Sequence, residues 1–103
     1  MITVMIVDDH DLICNAITAL LSDVPDIEVI TKAKTGEEAV LLAKQHKPNV
    51  ILMDIQMPGI SGIAATQKII TKHPDIKIIA LTSCTEAPFA IHILKAGAHG
   101  YLT

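Results

Sequence analysis

Three aspartates and one threonine lie at the C-terminal ends of apolar segments. Their carboxylate and hydroxyl groups suit metal binding and nucleophilic chemistry. Asp8 and Asp9 follow the first apolar run, Asp54 ends the third, and Thr82 ends the fourth. Carboxylates that are brought together repel one another, and a divalent cation such as Mg2+, which prefers oxygen ligands, removes that repulsion. One carboxylate can then act as a nucleophile, because aspartyl-phosphate is an established covalent intermediate. Asp54 suits that role, since it lies on a stiff central strand.

The elements that must position these residues alternate between strand-like apolar runs and amphipathic helical runs. Alternation with short connections requires crossovers, and crossovers produce a parallel sheet with helices on both faces. In a flavodoxin-like three-layer αβα sandwich with strand order 2-1-3-4-5, the first, third and fourth strands are neighbours, so their carboxyl ends form one crevice. The predicted strands are 3–7, 27–33, 50–53, 76–81 and 100–103, and the predicted helices are about 11–24, 35–45, 63–72 and 87–95.

Two helix starts carry a capping signal. Asp11 is predicted to cap the first helix. Thr35 and Glu38 have the capping-box form, in which a hydroxyl is followed three residues later by a glutamate, and they predict the start of the second helix.

Composition limits the chain to one compact domain and excludes several functions. It has 103 residues, half of them apolar, and its apolar runs are far shorter than the roughly 20 residues of a membrane span. All eight basic residues are lysine. The chain is therefore a poor candidate for direct nucleic-acid binding, because arginine is the preferred residue for bidentate hydrogen bonds to phosphates and bases. Cys14 and Cys84 lack metal-ligand spacing and are predicted to be small buried apolar residues. The N-terminus lacks the basic flank of a signal peptide, so we expect a cytoplasmic location.

The polar residues also allow alternative roles at this point. We interpret four of the acids as ordinary solvated loop residues: Asp11, Asp23, Asp26 and Asp75. A flavodoxin-like or nucleotide-binding module would share the fold, but no glycine-rich phosphate loop follows the first strand. A phosphatase of the haloacid-dehalogenase kind would need a DxD signature there, which the sequence lacks.

The five histidines are predicted to be surface or structural residues. None lies in an HExxH pattern, and none has a histidine or a carboxylate four residues away in the sequence. This prediction is weakest for His10, because His10 directly follows the acidic pair Asp8 and Asp9.

Four motifs occur in order at the predicted strand ends, and together they identify a family. The chain resembles, over essentially its whole length, the receiver domain of a bacterial two-component response regulator. The residues of the first and last motifs are similar to those of the NarL/FixJ subfamily, whose output domain is a LuxR-type DNA-binding domain. They are also similar to those of global regulators of the GacA/UvrY kind. The motifs are Val7-Asp8-Asp9-His10, Leu52-Met53-Asp54-Ile55-Gln56-Met57-Pro58-Gly59 with Gly62, Ala80-Leu81-Thr82-Ser83 and Ala96-Gly97-Ala98-His99-Gly100-Tyr101-Leu102.

The resemblance implies a role for each matching residue of the site. Asp54 would be the phosphoacceptor. Asp8, Asp9 and Asp54 would hold Mg2+ together with the backbone carbonyl of Gln56. Thr82 would be the hydroxyl that senses the phosphoryl group.

Further expectations concern the switch and the partners. Tyr101 would be the aromatic switch that moves with Thr82, and Pro58, Gly59 and Gly62 would shape the loop at the site. The implied partners are a sensor histidine kinase or phosphotransfer domain and a second copy of the chain, with DNA reached only through an output domain and no membrane contact. The domain would be a signalling phosphoacceptor that catalyses only its own phosphotransfer and dephosphorylation. A phosphorylation-independent pseudo-receiver is the alternative.

The length leads to a separate expectation. Receiver domains have a fifth helix, and a lysine that neutralises the phosphoryl group, beyond the position of Thr103, and Lys95 is too early in the pattern to replace that lysine. We therefore expect residues 1–103 to form a receiver domain that is incomplete at its C-terminal end and lacks its output domain. The face of the sheet near strand 76–81 would then be uncovered, a patch that favours association. We expect either that residues 1–103 are a truncated or partly observed chain, or that a partner copy covers this face, with exchange of elements as one way of doing so.

Overall fold

The protein folds into a parallel sheet with helices on both faces. The structure is a computed structural model that describes residues 1–55, 62–81 and 99–102, with only the backbone described at residues 101 and 102. The strand order β2-β1-β3-β4-β5 confirms the predicted order. The predicted helix 87–95 lies outside the described residues. The elements are β1 Ile2–Val7, α1 Asp11–Ser22, β2 Ile27–Ala33, α2 Gly36–His46, β3 Val50–Asp54, α3 Gly62–Lys72, β4 Lys77–Leu81 and β5 Gly100–Leu102.

Apolar strands form the middle of the sheet because both of their faces are covered. Met5, Val7, Ile51, Met53 and Ile78 are fully buried in the larger core, against side chains of α2 and α3. Successive strand residues point to opposite faces, so the alternate residues of β1 and β3 form a second, smaller core against α1. Continuous apolar runs at β1, β3 and β4 are therefore the signature of a sheet that is buried on both sides.

The start of α2 confirms the predicted capping signal. The Thr35 hydroxyl accepts a hydrogen bond from the Glu38 backbone N–H at 3.1 Å. The Glu38 carboxylate in turn accepts from the backbone N–H of Lys34 at 2.9 Å, one residue before the cap. At the other end Lys47 closes the helix with φ of 45°, the left-handed conformation that commonly ends helices.

The start of α1 corrects a prediction. His10 is the N-cap residue and Asp11 is the first helical residue, so the prediction that Asp11 caps this helix is wrong. The carboxylate of Asp11 forms an ion pair with Lys34 across the connection to α2, at 2.8 Å. A partner that is distant in sequence thus determines what this side chain does.

The face of the sheet that carries α1 is unevenly covered. Among the described helices, α1 alone packs on this face, over β1, β2 and part of β3. Ile79 and Leu81 of β4 point to the same face and are only half-buried. No helix in the described ranges 1–55, 62–81 and 99–102 is long and apolar enough to cross a membrane.

Candidate functional site

Two neighbouring strands bring the predicted carboxylates together. β1 and β3 are parallel partners with Val7 opposite Met53, so Asp8 and Asp54 leave the sheet at the same edge. One ligand atom from each of Asp8, Asp9, His10 and Asp54 lies within 4.8 Å of the other three. The predicted cluster of three carboxylates is therefore present.

Asp8 is the inner acid of the pair. Its side chain is 7% exposed, and its backbone N–H donates to the carbonyl of Ala33 at 3.0 Å, which extends the β1–β2 ladder beyond Val7. One carboxylate oxygen accepts the His10 backbone N–H at 2.9 Å. The Cys14 thiol, buried under α1 as predicted, donates to the Asp8 carbonyl at 3.5 Å. These bonds hold the Asp8 carboxylate at the strand end, as a buried charge requires.

His10, which was predicted to be a surface or structural residue, belongs to this site. Its ring Nδ1 lies 2.9 Å from Oδ1 of Asp8 and 3.0 Å from Oδ1 of Asp9. The hydrogen bond to Asp8, followed by the charge of Asp9, raises the pKa of the imidazole above its ordinary value. The only signal in the sequence was its position directly after the acidic pair.

Gly62 shapes the far side of the site by close approach. Its N–H donates to the carbonyl of Ile55 at 3.2 Å. A Cβ at this position would overlap the Asp54 carbonyl oxygen and would lie 2.7 Å from the Ile55 Cα. The Thr66 hydroxyl donates to the Gly62 carbonyl at 2.7 Å and holds this first turn of α3. The predicted need for glycine at position 62 therefore arises from backbone packed against backbone.

The remaining predicted site residues lie partly or wholly outside the described residues. Gln56, Pro58, Gly59 and Thr82 fall in the gaps 56–61 and 82–98, as does Cys84. Of Tyr101 the structure shows the backbone, which pairs with Ala80 in the β4–β5 ladder. The roles predicted for these residues stay predictions.

An ion pair next to the acid cluster joins two elements. Lys34, in the β2–α2 connection, reaches Asp11 at the start of α1. The hydrogen bond and charge of Lys34 lower the pKa of the Asp11 carboxyl, and Asp11 raises the pKa of Lys34. Both side chains are exposed, so salt should screen their attraction.

Replacing Lys34 with methionine should raise the Asp11 pKa towards its ordinary value of 3.8. Since folding lowers this pKa, the pair stabilises the wild type at pH values above 3.8, and the contribution disappears as pH falls through the lowered value. Carboxyl NMR titration of Asp11 measures the shift. Lys32→Met is the matched control and should raise the pKa less, because Lys32 acts on Asp11 through charge alone. An unchanged Asp11 pKa in Lys34→Met would show that the pair does not form in solution.

The donor set fits a magnesium ion. Three carboxylates converge at one end of the sheet, and Mg2+ is bound in proteins by one or two carboxylates together with waters and phosphate oxygens. Asp8, Asp9 and Asp54 would hold it.

Comparison with known proteins identifies the family to which the chain belongs. Residues 4–103 match the family described as the response regulator receiver domain. The response regulator GacA of Pseudomonas protegens is 52% identical over 103 residues, which cover 100% of this chain and 48% of that protein. This chain therefore spans about half the length of the curated relatives it matches.

Solved structures show the same likeness. A LuxR-family two-component response regulator from Aurantimonas sp. SI85-9A1 superposes with a TM-score of 0.92 at 31% identity, over 96% of this chain and 71% of that one. A chain in the CheX–CheY–BeF3–Mg2+ complex from Borrelia burgdorferi superposes with a TM-score of 0.93 at 25% identity, over 99% of this chain and 77% of that one. Because the family match extends over nearly the whole chain and the strand order is the predicted one, this protein belongs to the response regulator receiver domains.

Proposed function

We propose that Asp54 accepts a phosphoryl group from the phosphohistidine of a sensor kinase or phosphotransfer domain, in a reaction that requires Mg2+. The observation that supports this function is the convergence of Asp8, Asp9 and Asp54 at the ends of β1 and β3, with ligand atoms within 4.8 Å. The similar chain from Borrelia burgdorferi comes from a complex that contains BeF3 and Mg2+, which adds support by likeness.

Asp54 is held as a fixed nucleophile by the strands on both sides of it. Leu81 of β4 is its partner in the sheet, and β1 flanks β3 on the other side. A carboxylate oxygen of Asp54 forms the new bond to phosphorus while the nitrogen–phosphorus bond of the donor breaks, and the electron pair of that bond stays on the donor imidazole. Mg2+, held by Asp8, Asp9, Asp54 and the Gln56 carbonyl, would neutralise the charge on the transferring group. Hydrolysis reverses the modification: water attacks the phosphorus, the bond from phosphorus to the Asp54 oxygen breaks, and inorganic phosphate leaves the restored carboxylate.

The proposed consequences of phosphorylation are a change of shape and a change of partner. Thr82 would turn towards the phosphoryl group, and Tyr101 would follow it. The altered face would favour a homodimer and, in a longer protein of the length of GacA, control a DNA-binding output domain in the cytoplasm.

Acetyl phosphate supplied with and without Mg2+ tests the proposal. The chain should acquire acid-labile phosphate with Mg2+, and an excess of EDTA should suppress the reaction. Thr82→Ala should still accept phosphate but lose the phosphate-dependent change in dimerisation measured by sedimentation. Equal labelling with and without the cation would contradict the Mg2+ requirement. Dimerisation that is unchanged in Thr82→Ala would contradict the switch.

Two alternative functions predict different results. A phosphorylation-independent pseudo-receiver would acquire no phosphate, and the presence of all three carboxylates argues against it. A flavodoxin-like ligand-binding module would show a flavin spectrum or a nucleotide-induced shift in the NMR spectrum, neither of which we expect.

A further inference from the structure

His10 lies at the start of α1, but its side chain does not cap the helix. It is the N-cap of α1, yet its side chain makes no capping hydrogen bond to the described first turn of that helix. N-cap positions favour short oxygen-bearing side chains that accept from the helix N–H groups. The imidazole of His10 points away from the helix towards the two acids, so its placement must be explained by the site.

The distances around Nδ1 are those of neighbouring metal ligands. Nδ1 lies 2.9 Å from Oδ1 of Asp8 and 3.0 Å from Oδ1 of Asp9. Ligand atoms at adjacent corners of an octahedron with bonds of about 2.1 Å are separated by about 3.0 Å. Nδ1 therefore lies from each of the two carboxylate oxygens at the separation that two ligands of one such ion have.

The chemistry of the two donor types decides which cations would keep the ring in place. Imidazole nitrogen suits cobalt, nickel, copper and zinc, whereas magnesium prefers oxygen ligands. The His10 side chain is 67% exposed, so it can turn into solvent when an oxygen-preferring ion takes the site. His10 is thus positioned to distinguish between two classes of divalent cation.

We propose that His10 is a metal ligand of this site, and that Asp8, Asp9 and His10 together bind divalent transition cations of the cobalt, nickel and zinc class. This inference rests on the proposed function only in that both use the carboxylates of Asp8 and Asp9. The imidazole ligates the transition cation through Nδ1, and it leaves the coordination sphere when Mg2+ is bound.

Calorimetric titration of the tag-free chain with Co2+ and, separately, with Mg2+ tests the assignment. His10→Ser, which keeps a good N-cap residue, should raise the Kd for Co2+ about tenfold or more, the scale found when groups supporting a metal site are removed. The Kd for Mg2+ should change less than about twofold. His46→Ser is the matched control, because His46 is an exposed histidine at the end of α2, and it should leave both constants unchanged.

A spectroscopic measurement separates ligation from a purely structural role. In protein labelled with 13C in its histidine rings, Co2+ should give the His10 ring carbons large contact shifts, which arise only through a bond to the metal. Equal Co2+ affinity in His10→Ser, or bound Co2+ without those shifts, would overturn the inference and would leave Mg2+ binding and phosphorylation intact. Failure of the chain to bind Mg2+ would instead count against the proposed function, while the Co2+ results would still decide the role of His10.

Discussion

Asp54→Asn is expected to abolish the acid-labile phosphate that the wild-type chain acquires from acetyl phosphate and Mg2+. The substitution keeps the size of the side chain but removes the nucleophilic carboxylate, so labelling should fall to that of a protein-free control. Neither Asp8 nor Asp9 should replace it, because the proposed function assigns both to the cation, which draws electron density from their oxygens.

Two controls make this result specific. Asp75→Asn changes an exposed acid outside the cluster and should be labelled like the wild type. Asp54→Asn should also unfold at a temperature no lower than that of the wild type, because it removes one of three mutually repelling carboxylates. Labelling that persists in Asp54→Asn would show that the phosphoacceptor lies elsewhere.

Gly62→Ala is expected to destabilise the protein by about 2 kcal/mol or more, the scale of a side chain forced into a packed position. In an ordinary helix the same change stabilises by up to about 1 kcal/mol, so the prediction reverses the usual sign. The reason is that the new Cβ would overlap the Asp54 carbonyl and lie 2.7 Å from the Ile55 Cα. Both neighbours are backbone atoms at the end of β3, which cannot turn aside as a flexible side chain can. Urea unfolding measures the change.

Gly100→Ala is the matched control for that prediction. Within the part of the chain that the structure describes, a Cβ at Gly100 meets nothing within 4 Å, so the free energy of unfolding should stay within about 0.5 kcal/mol of the wild-type value. Because the displaced backbone in Gly62→Ala belongs to Asp54, the rate of labelling by acetyl phosphate should also fall in that variant and stay normal in Gly100→Ala. Equal stability of the two variants would mean that α3 can move away from β3 at little cost.

Local pattern was enough to predict most of the described fold. Continuous apolar runs at β3 and β4 favoured strands covered on both faces, and the amphipathic segments between the strands required crossovers. The order 2-1-3-4-5 then brought the ends of β1 and β3 together, which is why the cluster of Asp8, Asp9 and Asp54 could be predicted from residues more than 40 positions apart. The motifs also identified the receiver family, which the comparisons confirm.

Contacts between distant segments were beyond the reach of local pattern. Asp11 was predicted to cap a helix, but its carboxylate forms an ion pair with Lys34, which directly follows β2 in the chain. Gly62 was predicted to shape the loop at the site, and the structure shows that it does so by leaving room for the backbone of Asp54.

The sequence by itself determined the alternation of elements, because that alternation follows from hydrophobic periodicity. The flavodoxin-like strand order assigned to this alternation then implied that three carboxylates meet at one edge. Only the tertiary structure decided that the His10 ring lies between Asp8 and Asp9 and that α3 starts in contact with the end of β3. The physical reason is that side-chain direction and backbone separation depend on how packed elements sit against one another. A periodic pattern shows which face of an element is buried, but it does not contain the distance to the neighbouring element.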